Sequence, residues 1–582
     1  MAATLLLLTI AIPWAGALII WLIGDEYTKL LHGVAVAFSV AAGIAALLLI
    51  PYATGAPIIS VDAGPVFGVF TFAPDGLGVF LSAVATVIGS LAVIFSVDYM
   101  KGEGQIARYY AFVLFFIGSM TGLVLTTNLL LIFVFWELTA LCSYALIAFH
   151  NDDPKAVAGG MKALIITQFG GVGLLLGALL IRSYLGSYEL NDLLANVDKI
   201  PASVLSVAAF GFLAAAAAKS AQFPFQTWLP DAMEAPTPIS ALIHAATMVN
   251  AGVYLLARFY PAFKDVPGWT LTVVIVGMLS ALLAAIMATV ATDLKRVLAY
   301  STVSQLGFMV YAVGTGGIFA SQFHLFSHSV FKALLFLGAG AVIHAAGTRD
   351  MREMGGLGKK MPVVRNVFIL GSLALAGLPI MNGFWSKELV LESGLKGGPI
   401  WAFVIMLTVA GITAFYTFRC VNLVFYGEPR KELHVHDAGP FMKTALIPLA
   451  ALSLVTWLAA GPFADLLKNT LPHHELEHIT TMEMVEEVVM APATWIAMIV
   501  IAIGLVCWWQ RDRLTGVANS LKGLAKAATD SFGFEAINRG VVNGVQSSAE
   551  SLRVTQTGVL NWNIASILIG LIAVLVILVM GA

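Results

Sequence analysis

Charge is what this sequence has least of. Of 582 residues, 31 are Lys or Arg and 33 are Asp or Glu, so charged residues make up 11% of the chain, against about 25% in an ordinary soluble domain. A soluble chain of this length divides into several domains, each with a charged surface, and the charges for that are missing. The net charge of −2 offers no attraction to nucleic acid or anionic lipid. Cysteine is nearly absent too. Cys142, Cys420 and Cys507 lie far apart in apolar runs, with no Cys-x-x-Cys or Cys/His cluster, which excludes a structural zinc or an iron–sulfur cluster and leaves three small buried hydrophobes. No phosphate loop, nucleotide fingerprint or haem-attachment motif occurs; GGVGLLLG at 170–177 lies inside an apolar run and reads as helix packing. These absences exclude a soluble enzyme, a nucleic-acid binder and a disordered scaffold. No cofactor and no metal is expected.

What the chain does have is apolar length. Hydrophobic residues make up 59% of it, and a membrane-crossing helix needs about 20 mostly apolar residues. Sixteen such runs lie near 3–23, 30–50, 76–97, 109–124, 127–149, 161–182, 203–229, 238–258, 269–290, 297–315, 318–345, 366–392, 400–425, 444–467, 493–509 and 562–581. The expected fold is an all-α polytopic membrane protein. Its N-terminus, apolar and without a basic flank, reads as a retained span. Basic residues test the count. If every run crosses and the first connection is cytoplasmic, most Lys and Arg fall on the cytoplasmic side, including Arg349, Arg352, Lys359, Lys360 and Arg365 in one loop. The other side keeps Arg182, Lys199, Arg258, Lys264, Lys396 and Lys468, and both termini are expected outside.

Three connections stand out. Residues 51–75 alternate apolar residues with Gly and Pro and predict an extracytoplasmic hairpin. Residues 468–492, with His473, His474 and His478 among glutamates, predict a solvated acidic loop, because this spacing suits no ordered metal site. Residues 511–560 are polar and cytoplasmic, and place Leu514, Val517, Leu521 and Leu524 on one stripe. That predicts an amphipathic segment lying on the membrane or on a partner subunit, interrupted at glycines 533, 540 and 544.

The few charges left inside spans carry the chemistry. A charge at mid-bilayer costs about 2.5–3.5 kcal/mol on insertion scales. Glu137 sits in FVFWELTALCSYALIAF, and Lys219 follows five alanines and precedes Pro224. Small residues let helices approach closely, proline loosens a turn, and the two charges are expected to pair. In the eighth span Ser240, His244 and Thr247 recur at i, i+4, i+7 and are expected to share a face. In the eleventh, His324, His328 and Lys332 recur at i, i+4, i+8 as one titratable stripe. Histidine takes a proton on one nitrogen while releasing one from the other. Metal binding by the two histidines would lack a third ligand and be opposed by the lysine. The twelfth span is broken at Gly377 and Pro379 before Lys387 and Glu388. Pro224 and Pro379 mark like positions separated by five spans, which predicts two inverted five-helix repeats with discontinuous helices 7 and 12. Lys295, at a span start, reads either as a link between the repeats or as a snorkelling lysine.

These stretches, together with TDLKRVLAYSTVSQLGFM and HSVFKALLFLGAGAVIHAAGTRDMREMGGLGKKMP, resemble the antiporter-like proton-pumping subunits of respiratory complex I. The chain is similar above all to the L subunit (chain 5), and also to the large subunit of Mrp sodium/proton antiporters. The resemblance is strong over 70–510 and weaker over 1–70. It implies two half-channels joined by a polar axis along the membrane middle, with the functional positions at Glu137, Lys219, His244, Lys295, His324, His328, Lys332, Lys387 and Glu388. Departures point both ways. Thr167 to Gly171 lack the Arg and Asp usual in complex I and look Mrp-like, whereas Asn250 stands where Mrp chains tend to have lysine. The tail resembles complex I, where a lateral helix precedes the last span.

The expected organisation is helices 1–3 with the hairpin over 1–108, repeats over 109–258 and 269–425, helices 14–15 over 426–510, a lateral segment over 511–560 and a last helix over 561–582. The resemblance implies a membrane subunit of a proton-translocating oxidoreductase in a prokaryotic plasma membrane, driven by NADH, a reduced deazaflavin or ferredoxin, with redox chemistry on other subunits. Its implied partners are further membrane subunits, indirectly the peripheral electron-transfer subunits, and lipid. An Mrp-type sodium/proton antiporter and the membrane subunit of an inorganic-carbon uptake complex are the alternatives.

Overall fold

The computed structural model describes residues 1–553 except 432 and 434. The expected last span, 562–581, lies outside the described residues. Among those described, fourteen helices are long and apolar enough to cross a membrane. Between its ends a helix satisfies its backbone groups internally, which a hydrocarbon environment requires. The fourteen coincide with the expected runs except at the twelfth, where two shorter helices stand, Pro362–Ala376 and Asn382–Gly397. The paired strands are Ile59–Asp62 and Val69–Phe72, antiparallel, with Ile59 opposite Phe72. They mark one end of the bundle, called here the hairpin side.

Burial sorts the helices into layers. Within the best apolar window, 39% of Ala2–Ile23 is buried, against 94% of Leu294–Gly314 and all of Thr237–Phe263. The most polar spans are therefore central ones, while helices such as Ala2–Ile23 and Pro492–Trp509 face the surroundings. This inverts the rule for a soluble core and suits a lipid solvent.

Three spans are interrupted, one more than the prolines announce. The seventh is one helix over Ala202–Lys219, ending on Lys219 itself, with the short Trp228–Asp231 following, so the expected discontinuity falls between Lys219 and Trp228, around Pro224. The twelfth breaks at Gly377–Met381. The eighth has no proline or glycine at its break: Thr237–Ala241 passes into a π turn over Leu242–Ala246, Thr247 leaves helical geometry, and Met248–Phe263 resumes. A π turn frees backbone carbonyls. Two side chains serve them, Thr247 Oγ1 donating to the Leu242 carbonyl (2.8 Å) and Asn250 Nδ2 to that of Ala245 (2.8 Å). The wide turn removes the simple i, i+4, i+7 register expected for Ser240, His244 and Thr247.

The acidic connection is also more ordered than a solvated loop. His474 is buried in a short turn, and Thr481–Met490 is a helix closed by a Thr480–Glu483 capping box. In the unit Lys526 onward, Phe534–Arg553 is one helix. The interruption expected at Gly533 is there, with Phe532 and Gly533 at positive φ, whereas Gly540 and Gly544 lie within the helix. In the unit ending at Ala525, Val517, Leu521 and Leu524 are exposed.

Candidate functional site: a buried polar axis

Glu137 lies on Leu129–Ile147, and its carboxylate sits against Gly171, where a Cβ would come within 2.4 Å of Oε1. Gly171 is small because the carboxylate needs its space. Lys219, fully buried, lies nearby, but its ammonium donates to the Trp136 carbonyl (2.7 Å) and stands 4.9 Å from the Trp136 ring centre. No ion pair within 4.0 Å joins it to Glu137 among the described residues. The expected couple is therefore a near neighbour pair, not a closed bridge.

At the end away from the hairpin, Lys295 is only 2% exposed and donates to the Ala235 carbonyl (2.5 Å). A snorkelling lysine would reach water, so that reading falls. Around it, Arg349 grips Glu234 with two parallel hydrogen bonds of 3.0 Å and meets Asp293 at 2.9 Å. Asp231 binds both Lys162 (2.8 Å) and Arg296 (3.0 Å). These ion pairs tie the loop after the broken seventh span to the start of Leu294–Gly314 and the end of Ile318–Ala346.

The middle of the axis is built on Ile318–Ala346, where His324, His328 and Lys332 are fully buried. His324 contacts Ser386 Oγ through Nδ1 (2.9 Å) and Gln305 Oε1 through Nε2 (3.1 Å). Lys332 donates to the Leu298 carbonyl (3.2 Å) and to Ser301. Among the described residues, both nitrogens of His328 and of His244 lack a protein hydrogen-bond partner, as do Ser240 Oγ, Ser327 Oγ and the Gln322 amide. His244 stacks 4.6 Å from Phe336. So many unpartnered polar atoms in a membrane interior demand water, since each would otherwise cost about 1–3 kcal/mol.

Lys387 marks the break in the twelfth span. Its ammonium donates to the Ala376 (3.0 Å) and Leu375 (3.3 Å) carbonyls, the last of Pro362–Ala376. A helix C-terminus leaves such carbonyls free and carries partial negative charge. Gly377, at φ +78°, makes the approach possible, because a Cβ there would lie 2.6 Å from Lys387 Cε. Glu388 follows, fully buried, with neither carboxylate oxygen hydrogen-bonded among the described residues. Beyond it the charges run outward through Glu392, Lys396 and Glu487, at 3.4 and 2.8 Å.

Sequence reasoning missed Ser386, Gln305 and Ser301, common residue types with no charge to betray them. It also missed a buried ion pair, Arg258 Nη2 to Asp75 Oδ2 at 2.5 Å, with Arg258 1% exposed. The available signal was the four-residue spacing of Asn250, Tyr254 and Arg258. Among the described residues, no group of three His, Cys, Asp or Glu could hold a metal ion.

A profile of the family described as NADH:quinone oxidoreductase/Mrp antiporter, TM, matches residues 126–413, and one described as NADH-ubiquinone oxidoreductase (complex I), chain 5 N-terminus, matches 67–110. Over 549 residues the chain is 37% identical to NADH-quinone oxidoreductase subunit L of Escherichia coli K12, covering 88% of this chain and 87% of that one. The chain belongs to the family of complex I subunit L/chain 5.

Other members of this antiporter-like family are comparably near. Chain 5 of the NAD(P)H-quinone oxidoreductase of Picosynechococcus is 44% identical over 61% of this chain and 56% of its own length. A chain in the structure of the Mrp complex from Dietzia superposes with a TM-score of 0.85 at 31% identity, over 99% of this chain and 63% of that one. The chain thus spans little more than half of the cyanobacterial relative and under two thirds of the Mrp chain. Both lineages named by the sequence resemblance are represented, and the all-α, multi-pass antiporter-like fold is common to them. The relatives are subunits of multi-subunit membrane complexes.

Proposed function

We propose that this chain is the proton-translocating, antiporter-like membrane subunit of a complex I-type redox pump. The observation that carries the reading is the row of fully buried lysines and histidines running from one helix break to the other, with ammonium groups held only by carbonyls and hydroxyls. Such groups hold or pass a proton at little structural cost, whereas a lysine locked to a carboxylate does not. Lys219 and Glu137 form the first station and His244 the link. His324, His328 and Lys332 form the central relay, and Lys387 with Glu388 the second station; Lys295 anchors the loop between them. The two stations belong to inverted repeats over 109–258 and 269–425, and the hairpin side faces outward, with both termini, in a prokaryotic plasma membrane.

The magnitudes fit. Moving one charge against 100 mV costs about 2.3 kcal/mol. Unit charges 4 Å apart at an effective dielectric constant near 20 interact by about 4 kcal/mol. Separating Glu137 further from Lys219, or bringing them together, is thus large enough to load or unload the lysine. Electron transfer takes place on partner subunits and not on this chain.

The Dietzia superposition supports a second reading, a sodium/proton antiporter. The two separate in proteoliposomes holding the intact complex. Redox-driven proton uptake that is abolished by Lys219→Ala or Lys387→Ala, with assembly intact, supports the pump, and normal uptake in either variant rejects it. Sodium-dependent pH change with no electron donor would support the exchanger.

A further inference from the structure

A cavity of about 320 Å³ opens on the hairpin side, room for roughly ten waters at about 30 Å³ each. Its walls come from connections distant in sequence: Thr54 to Ala56, Asp75, Leu190 to Leu194, Arg258, and Asn469 to His474. Asn469 and His473 are exposed and form its mouth, while Arg258 and Asp75 form its floor and are 1% and 4% exposed. The groups at the floor are incompletely served. Among the described residues, Arg258 Nε and Nη1 and His474 Nδ1 have no protein hydrogen-bond partner. His474 Nε2 donates to the Ala257 carbonyl (2.9 Å), so its Nδ1 is an acceptor. The Asp75 carboxylate is divided: Oδ1 caps the helix Gly76–Tyr99 through Gly78 N–H (2.8 Å), and Oδ2 meets Arg258.

The cavity floor is connected to the polar axis by one face of one helix. On Met248–Phe263, Asn250, Tyr254 and Arg258 recur every four residues and are all buried. Asn250 Nδ2 touches Ser329 Oγ (3.2 Å), the neighbour of His328 on the central helix. Arg258 lies 5.5 Å from the Tyr254 ring centre. Between them the Tyr254 hydroxyl donates to the Val124 carbonyl (3.2 Å), so this face of the helix carries a column of polar groups from beside the relay to the cavity floor.

We propose that this cavity is the outward proton port of the chain, with the Asp75–Arg258 pair as its gate. The proposal rests on the proton-translocating reading above. A permanently charged guanidinium repels a free hydronium, so the closed pair blocks leakage. A proton arriving along the column is taken up by the Asp75 carboxylate, which becomes the neutral acid and lets go of Arg258. The unpaired guanidinium then favours the carboxylate again, and the proton leaves to cavity water.

The port is tested in the assembled complex, with Asn469→Cys in a Cys507→Ser background; Cys142 and Cys420 are buried. A membrane-impermeant, bulky maleimide is applied from the hairpin side after reconstitution, so folding is not at stake. Labelling is expected to lower redox-driven proton translocation about tenfold relative to the same unlabelled protein, as plugging the proton's exit should. Full translocation by protein shown by mass to be labelled overturns the port. Lys219→Ala is run beside it. If that variant translocates normally, the translocation reading itself has failed; if it is dead while the labelled port is active, only the port has.

Discussion

His474 shows how a single buried ring can record the state of the hairpin side. Burial pushes its pKa down from the ordinary 6.5 to about 4, with Arg258 and His473 adding to the effect and the Ala257 carbonyl and Asp75 opposing it. The docked turn prefers the neutral ring, while the detached segment titrates near 6.5. Docking is therefore at full strength above pH 6.5 and weakens as pH falls toward 4, by roughly 3 kcal/mol in all. Hydrogen exchange in 468–480, corrected for intrinsic rate, is expected to speed up between pH 7 and 4.5, and His474→Gln to remove the pH-dependent part. Identical protection at both pH values would contradict this. Charged residues such as Lys219, Lys332 and Lys387 were legible in the sequence because a charge in an apolar run needs a reason. Ser301, Gln305 and Ser386 were not, because uncharged polar residues are cheap enough to occur anywhere in a span. Arg258 was read as a boundary residue, since only its unseen partner Asp75 makes deep burial tolerable.

At the scale of elements, the breaks decide where protonatable groups can be held. Proline and glycine announced those of the seventh and twelfth spans. The eighth was hidden because Leu242 to Ala246 are ordinary helix formers, and Thr247 and Asn250, which donate to carbonyls five residues before them, are common residue types that announce no break. The break in the twelfth span admits a direct test. Gly377→Ala places a side chain at φ +78°, which costs about 1–2 kcal/mol, and drives its Cβ into Lys387. The lysine must leave the Ala376 carbonyl. Proton uptake by the assembled variant is expected to fall several-fold; uptake at the wild-type rate would show that the carbonyl contact is dispensable.

For the whole molecule, composition gave the class, and the run lengths gave the span count among the described residues to within the interrupted twelfth. The layering was not legible. Which helices surround which follows from contacts between distant segments, and the finding that the most polar spans are central ones needed the fold. The central claim is that this chain carries protons through its buried axis while others carry electrons. Protons translocated per electron, measured in the reconstituted complex with Lys332→Ala, test it most directly. Lys332 is fully buried at the middle of the axis. The account predicts continued electron transfer with a lowered proton-to-electron ratio. An unchanged ratio in the assembled variant would contradict it.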